Sequence, residues 1–219
     1  MDIHGFLMGL LIRAPGILIG ITIHEYAHGL VALWQGDATA KQAGRLSLNP
    51  VAHLDVFGTL MLLFGPFGWA KPVPVNYYNL NKPKRDMIFV ALAGPVSNVL
   101  CAMVIGAALR LFGGALMDSI NGQYAVLMLK TAFMINIGLS FFNLLPIPPL
   151  DGSNIVMGLL PHSRIADYVR LMRHLPMVFL ALIFLQWGFH VPVLNWILDP
   201  LFTPYFIFWQ YIIFGGKVF

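Results

Sequence analysis

The chain has 219 residues, of which 58% are hydrophobic and 10% charged, whereas about a quarter of the residues in an ordinary soluble domain are charged. So few polar side chains cannot cover a globule in water, which indicates an integral membrane protein with the lipid bilayer around it, built as one domain over residues 1–219. The net charge is +4, but Lys and Arg stand beside apolar runs and form no basic face, which excludes nucleic acid as an expected partner.

Five apolar runs are candidates for membrane-spanning helices, because a helix needs about 20 residues to cross the hydrocarbon of a bilayer. They cover residues 6–34, 86–112, 124–146, 175–190 and 200–215. The fourth run is short, and Pro204 breaks the last one near its start. The sequence predicts an all-α polytopic membrane protein with five to six transmembrane helices, a metal-binding core at about 6–160 and C-terminal helices at about 175–215.

The connection after the first span has a different pattern. The run 54–69 is short and contains several Gly and Pro residues, so it predicts a re-entrant or interfacial segment. Residues 44–49 and 70–76 alternate roughly as strands do, and Pro72 and Pro74 are tolerated only at an edge. We therefore expect a small membrane-associated β-hairpin or sheet with an open edge.

Basic residues in the short connections predict the orientation, because Lys and Arg are retained on the cytoplasmic side. They cluster in 35–85 and 161–174 and are absent from 113–123. The spans 6–34 and 124–146 therefore both run inward. This places the end of each toward the cytoplasm.

The first span contains the sequence His24-Glu25-Tyr26-Ala27-His28, with the only glutamate of the chain. Two histidines four residues apart project from one face of a helix and can share one metal ion. Glu25, about 100° further round, can reach a water on that ion. This is the chemistry of an H-E-x-x-H motif, in which the histidines bind zinc and the glutamate is the general base.

A glutamate near the middle of a spanning helix costs on the order of 2.5–3.5 kcal/mol, so it needs a partner or a watery cavity. A dication held by His24 and His28 would offset much of that cost. A proton or ion pathway lined by these side chains is the alternative.

Catalytic zinc takes three protein ligands and leaves a fourth position to water. Asp151 is the candidate for the third ligand, since three prolines end the preceding apolar helix abruptly and Gly152 allows close backbone approach. Orientation places it at the depth of the two histidines. Asp151 as the N-cap of a short helix at 153–160 is equally compatible with the residues alone.

These motifs together resemble the site-2 protease family of intramembrane zinc metalloproteases. The chain has H-E-x-x-H at 24–28, N-x-x-P-x-x-x-x-D-G at 143–152, and the segment Ala93-Gly94-Pro95-Val96-Ser97-Asn98 that is typical of the group. The likeness covers about residues 10–160. The chain resembles the compact members of the family, since no connection between its spans has room for a PDZ domain.

The resemblance implies a role for each matching residue. His24, His28 and Asp151 would bind one Zn²⁺ per chain, Glu25 would activate water, and Asn143 would position substrate or stabilise the oxyanion. Asn98 would line the substrate path. For this chain we expect a place in the cell membrane of a bacterium or an archaeon, with the active site toward the cytoplasm, and a separate membrane protein as regulator.

The substrate implied is a transmembrane segment of another protein. Once unwound, its backbone groups are unpaired in an apolar setting, which costs several kcal/mol for each group. Pairing with the edge at 70–76, at Val73 and Val75, would satisfy them.

Other functions fit the residues less well. Haem ligation needs histidines on facing helices, and a metal-ion or proton transporter, the main alternative, is expected to show an inverted repeat that this sequence lacks. Two histidines and a carboxylate also suit iron, but the adjacent Glu25 favours hydrolysis. His53 and Asp55 are close enough for a second metal site, although a structural role is the preferred interpretation.

Overall fold

The computed structural model describes residues 3–64 and 68–216. In that part the chain forms nine α-helices, two short 3₁₀ helices and no β-strand. The helices are α1 (Ile3–Trp34), α2 (Thr39–Gln42), α3 (Val56–Phe64), α4 (Pro83–Leu116), α5 (Ile120–Leu144), α6 (Asp151–Leu159), α7 (His162–Met172), α8 (Leu175–Phe189) and α9 (Val193–Phe214).

Five stretches of the described chain are long and apolar enough to cross a membrane. They are α1, α4, α5, the stretch His162–Phe189 that comprises α7 and α8, and α9. The predicted all-α polytopic class is thereby confirmed. The last span was predicted to begin at 200 and to be broken by Pro204, but α9 begins at Val193 and contains both Pro200 and Pro204. Membrane helices tolerate proline because neighbouring groups satisfy the freed backbone carbonyl.

Helices α1, α4 and α5 pack against one another and form the core of the molecule. Small residues allow this close approach, as they do in membrane helix bundles generally. A Cβ atom on Gly16 of α1 would lie 2.6 Å from the Cα of Ala132 in α5. Phe133 and Ile137 of α5 are fully buried, and aromatic side chains of α9 cover them from the other side.

Helix α6 reaches the core through a tight approach to the end of α5. A Cβ atom on Gly152 would lie 2.3 Å from the carbonyl oxygen of Leu144 and 2.4 Å from that of Leu145. Only glycine allows two backbones to come so close. The approach predicted from Gly152 is confirmed, and it carries the neighbouring Asp151 toward α1.

The predicted β-hairpin or sheet is wrong for the residues described. Residues 44–49 and 70–76 form no ladder, and the only β-type pairing in this part of the chain is an isolated antiparallel bridge between Leu54 and Ala70. Pro72 and Pro74 have no N–H to donate. The N–H groups of Val73 and Asn76 donate to carboxylates instead of to a partner strand.

The predicted re-entrant segment at 54–69 contains α3. Asp55 caps this helix, since its Oδ1 accepts a hydrogen bond of 2.9 Å from the Gly58 N–H. Gly65 and Pro66, on which the prediction partly rested, lie outside the described residues. Entry of this segment into the membrane stays a prediction.

Candidate metal centre

His24 and His28 lie one turn apart on α1 with their rings directed to the same point. Their Nε2 atoms are 3.0 Å apart, and both residues are buried. The spacing of four residues therefore produces the convergence that the sequence predicts, on the face of α1 that packs against α4.

Asp151 comes to the same point from the first turn of α6. Its Oδ2 lies 3.1 Å from His24 Nε2 and 3.3 Å from His28 Nε2. The three predicted ligands therefore lie together.

The two imidazoles are held by hydrogen bonds from their other ring nitrogen. His28 Nδ1 donates to the carbonyl oxygen of Val90 over 2.7 Å, and His24 Nδ1 donates to Asn98 Oδ1 over 2.7 Å. The orientation of the Asn98 amide is fixed, because its Nδ2 donates to the oxygens of Gly20 and Asn136. With both Nδ1 atoms donating, the Nε2 lone pairs of both rings point into the site.

This donor set suits a metal ion. Two lone pairs that face each other at 3.0 Å, with a carboxylate oxygen beside them, repel one another unless a cation lies between them. Donors bound to tetrahedral zinc at 2.0–2.2 Å are roughly 3.3–3.5 Å apart, slightly more than the separations here. Among the described residues, these three side chains form the one cluster of three His, Cys, Asp or Glu groups able to hold a metal.

Gly94 of α4 leaves the space that the site needs. A Cβ atom at this position would lie 2.5 Å from His28 Nε2 and 2.6 Å from His24 Nε2. Any other side chain would therefore occupy the point on which the ligands converge. Sequence reasoning noted the segment that contains Gly94 without assigning this role to it.

Glu25 lies beside the three ligands and is itself buried. Its Oε2 accepts a hydrogen bond of 2.7 Å from the backbone N–H of Val73. A cavity of about 300 Å³ connects Glu25 with the ligands and with Asn143. Val73 and Val75 also line this cavity, as the substrate-path prediction requires, although that role stays a prediction.

Asn143 contributes an amide to the cavity. Its Nδ2 donates to the carbonyl oxygen of Leu139 over 3.0 Å, and a primary amide carries a second N–H. Asn143 is therefore positioned by its own helix while one donor is left for a ligand in the cavity.

Asn98 lies in a different place from the one its predicted role suggests. It is fully buried behind His24 and does not line the cavity. Asn136 is also fully buried, and its Oδ1 accepts a hydrogen bond from Asn98. Asn98 therefore orients the ring of His24, and Asn136 orients Asn98. Neither asparagine lines the cavity.

Sequence reasoning missed two polar residues near the site. Asn154 lines the cavity one turn after Asp151 on α6, so the helical spacing from Asp151 could have identified it. Asp37 is fully buried in the connection after α1 and accepts the N–H of Asn76. No spacing rule connects residues 37 and 76.

His53 and Asp55 have structural partners. His53 Nε2 donates to the carbonyl oxygen of Ser47 over 2.7 Å, and Asp55 caps α3. Neither belongs to a metal-ligating cluster among the described residues. The structural interpretation of this pair fits the contacts.

Two histidines of an H-E-x-x-H motif, with a carboxylate as the third potential ligand, are the donor set of a zinc metallopeptidase. Comparison with known proteins gives the same class. Residues 115–185, which contain Asn143 and Asp151, match the family described as Peptidase family M50.

The curated relatives extend the likeness over most of the chain. "Putative zinc metalloprotease YwhC" of Bacillus subtilis (strain 168) is 39% identical over 183 residues, which are 82% of this chain and 84% of that protein. "Putative zinc metalloprotease Rip2" of Mycobacterium tuberculosis (strain ATCC 25618 / H37Rv) is 34% identical over 188 residues, which are 82% of this chain and 67% of that protein. No solved structure matches the chain.

The chain belongs to peptidase family M50. This confirms the predicted resemblance to site-2 proteases and the predicted enzyme class, a zinc metalloprotease. Its long apolar helices make it a membrane protein.

Proposed function

We propose that the protein is an intramembrane zinc metalloprotease that hydrolyses a peptide bond in or near a transmembrane segment of another membrane protein. One observation carries the proposal. Two imidazole nitrogens and a carboxylate oxygen converge at 3.0–3.3 Å, next to the buried Glu25, within the apolar helices.

His24, His28 and Asp151 would hold one zinc ion per chain. Bound zinc lowers the pKa of a water ligand to about 7 and polarises a carbonyl group. Val90 and Asn98 accept the Nδ1 protons, which leaves both Nε2 lone pairs available to hold the ion. Such partners of the ligands typically change metal affinity or activity 10–100-fold when they are removed.

Glu25 would act as the general base. Its carboxylate borders the cavity beside the ligands, so it can accept a proton from water there and later deliver that proton to the leaving amine. The Val73 N–H donates to Oε2 of Glu25, so Oε1 is the oxygen left to accept the proton. Asn143 would donate its second amide N–H to the carbonyl oxygen on which charge develops.

The substrate would enter as an unwound segment alongside residues 70–76. Val73 and Val75 line the cavity together with Glu25, which supports contact of these residues with substrate. The N–H of Val73 already donates to Glu25. Pairing would therefore rely more on the carbonyl groups of this segment than on its N–H groups.

The active site would face the cytoplasm of a bacterial or archaeal cell. The distribution of Lys and Arg supports the orientation, and the relatives named above are bacterial. A separate membrane protein would regulate access of substrate. The transporter alternative gains no support from the family match.

Glu25→Gln tests the assigned base. The purified variant and the wild type are reconstituted in vesicles with a panel of single-span membrane proteins that carry a tag at each end. We expect zinc content to be unchanged and cleavage to fall by at least about 10²-fold, the scale of general-base catalysis. Cleavage by the variant at the wild-type rate would show that Glu25 is not the base. Asp118→Asn, on an exposed connection, is the control.

A further inference from the structure

The segment 71–76 runs along the C-terminal half of α1 and is held to that helix at two points. The N–H of Val73 donates to Glu25 Oε2 over 2.7 Å, and the N–H of Asn76 donates to Asp37 Oδ2 over 2.6 Å. Both acceptors belong to α1 or to the turn that follows it. The segment therefore connects Glu25 with Asp37, a residue that the proposed reaction does not use.

Asp37 is a buried carboxylate whose two oxygens accept several hydrogen bonds. It is fully buried, and its Oδ1 accepts hydrogen bonds from the Thr39 N–H over 3.0 Å and from Asn79 Nδ2 over 3.1 Å. The hydroxyl group of Thr39 also donates to it. Burial raises the pKa of Asp37, but these donors outweigh burial and the pKa lies below its ordinary value. A carboxylate at this position accepts hydrogen bonds and has none to give.

The turn after α1 places Asp37 back against the helix. Gly36 has a φ of +103°, a conformation that favours glycine, and the Asp37 N–H then donates to the carbonyl oxygen of Ala32 over 2.9 Å. The seven residues from Glu25 to Ala32 span about 10.5 Å of helix. The three residues from Val73 to Asn76 span about 10 Å when extended. The distance between the two acceptors, Glu25 on α1 and Asp37 in the turn held against Ala32, therefore matches the distance between the two N–H donors of the segment.

The segment between the two donors is stiff. Pro72 and Pro74 flank Val73, and each proline fixes its own φ near −65° and restricts the residue before it. Val75 packs against the buried cluster of Ala32, Leu80 and Val90. A shift of Asn76 would therefore be transmitted to the N–H of Val73 instead of being absorbed between them.

We propose that Asp37 is a positioning residue for catalysis, which holds Asn76 so that the N–H of Val73 keeps the Glu25 carboxylate in place beside the metal ligands. The proposal rests on the proposed function, because it assigns Glu25 as the base. Asp37 itself does not contact substrate or metal.

The test compares Asp37→Asn with Asp55→Asn in the full-length protein. Asn at position 37 has nearly the same shape but replaces one acceptor by an NH₂ group, which opposes the N–H of Asn76 or of Thr39. Asp55 is a matched control, because it caps α3, and Asn is as good a cap as Asp. Both variants are assayed in vesicles on a panel member that the wild type cleaves, and zinc is measured for each.

We expect Asp37→Asn to keep its zinc and its KM within about twofold while kcat for each zinc-loaded chain falls at least about tenfold, because misplacement of a catalytic group by about 1 Å can cost about 10²-fold. Amide hydrogen exchange should become faster in peptides that cover 71–76 and stay unchanged in α5. Asp55→Asn should match the wild type in all four measurements. A general loss of folded protein would instead lower zinc content and raise exchange in every helix.

Wild-type kcat in Asp37→Asn, or a changed KM with unchanged kcat, would overturn the proposal. If Asp37→Asn does not fold, Asn79→Ala removes one donor to Asp37 from an exposed residue and should lower kcat in the same direction by a smaller factor. No change of kcat in that variant would also overturn it. Failure of the proposed function is seen separately, as undiminished cleavage by Glu25→Gln, and it leaves the exchange result intact.

Discussion

Gly94 determines how much room the two imidazoles have. The hydrogen that stands in place of a side chain on this residue faces the point where His24 Nε2 and His28 Nε2 meet. A methyl group there would lie closer to both nitrogens than non-bonded atoms approach. The site therefore depends on a glycine that carries no chemistry of its own.

Gly94→Ala should abolish zinc binding while the helices still form, because alanine is a better helix residue than glycine. We expect zinc content to fall at least about tenfold, a loss on the scale of a disrupted ligand shell, as measured by elemental analysis of purified protein. Gly138→Ala is the control, since nothing lies within 4 Å of a Cβ atom at that position. Retention of full zinc by Gly94→Ala would show that the ion does not lie among these atoms.

Residue spacing predicts the part of the site that a single helix determines. The interval of four residues places His24 and His28 on one face, and Glu25 follows from its position between them. The bond from His24 to Asn98 joins residues 74 positions apart. Such a contact depends on how α1 packs against α4, so the sequence pattern alone could not distinguish a ligand-orienting asparagine from one facing substrate.

At the scale of elements, the third ligand depends on how α6 approaches α5. Asp151 is the first residue of α6, and the adjacent Gly152 faces the carbonyl oxygens of Leu144 and Leu145. Two features therefore position the carboxylate of Asp151: the direction of the chain after α5 and the absence of a side chain at residue 152.

Gly152→Ala should push α6 away from α5 and withdraw Asp151 from the two imidazoles. Overpacking of this kind costs about 1–3 kcal/mol, so we expect a lower unfolding temperature and weaker zinc binding, measured by thermal unfolding with and without a chelator. Gly113→Ala, with nothing within 4 Å, should change neither. Wild-type zinc affinity in Gly152→Ala would contradict this account of the third ligand.

The segment 70–76 shows why alternation did not predict a sheet. A period of two requires an extended backbone, but a sheet also requires N–H groups free to pair. Two of these groups are missing at Pro72 and Pro74, and two more donate to Asp37 and Glu25. Those acceptors come from α1 and the turn that follows it, so the prediction fails because of tertiary contacts that no local pattern contains.

In the whole molecule, the predicted orientation places 35–85 in the cytoplasm and 113–123 outside. Lys41 and Asp118 are exposed residues in these two connections. In a Cys101→Ala background, a membrane-impermeant maleimide should label Asp118→Cys in intact cells and Lys41→Cys only after permeabilisation. The reverse pattern would place the active site on the outer side.

The central claim is that residues 24, 28 and 151, from two helices, meet at one point between membrane-spanning helices. X-ray absorption at the zinc edge, combined with elemental analysis of purified protein, tests it directly. We predict one zinc per chain with two imidazole nitrogens and light oxygen ligands, and a loss of zinc in Asp151→Ala. A sulfur ligand, or a zinc spectrum and stoichiometry unchanged in Asp151→Ala, would contradict the account.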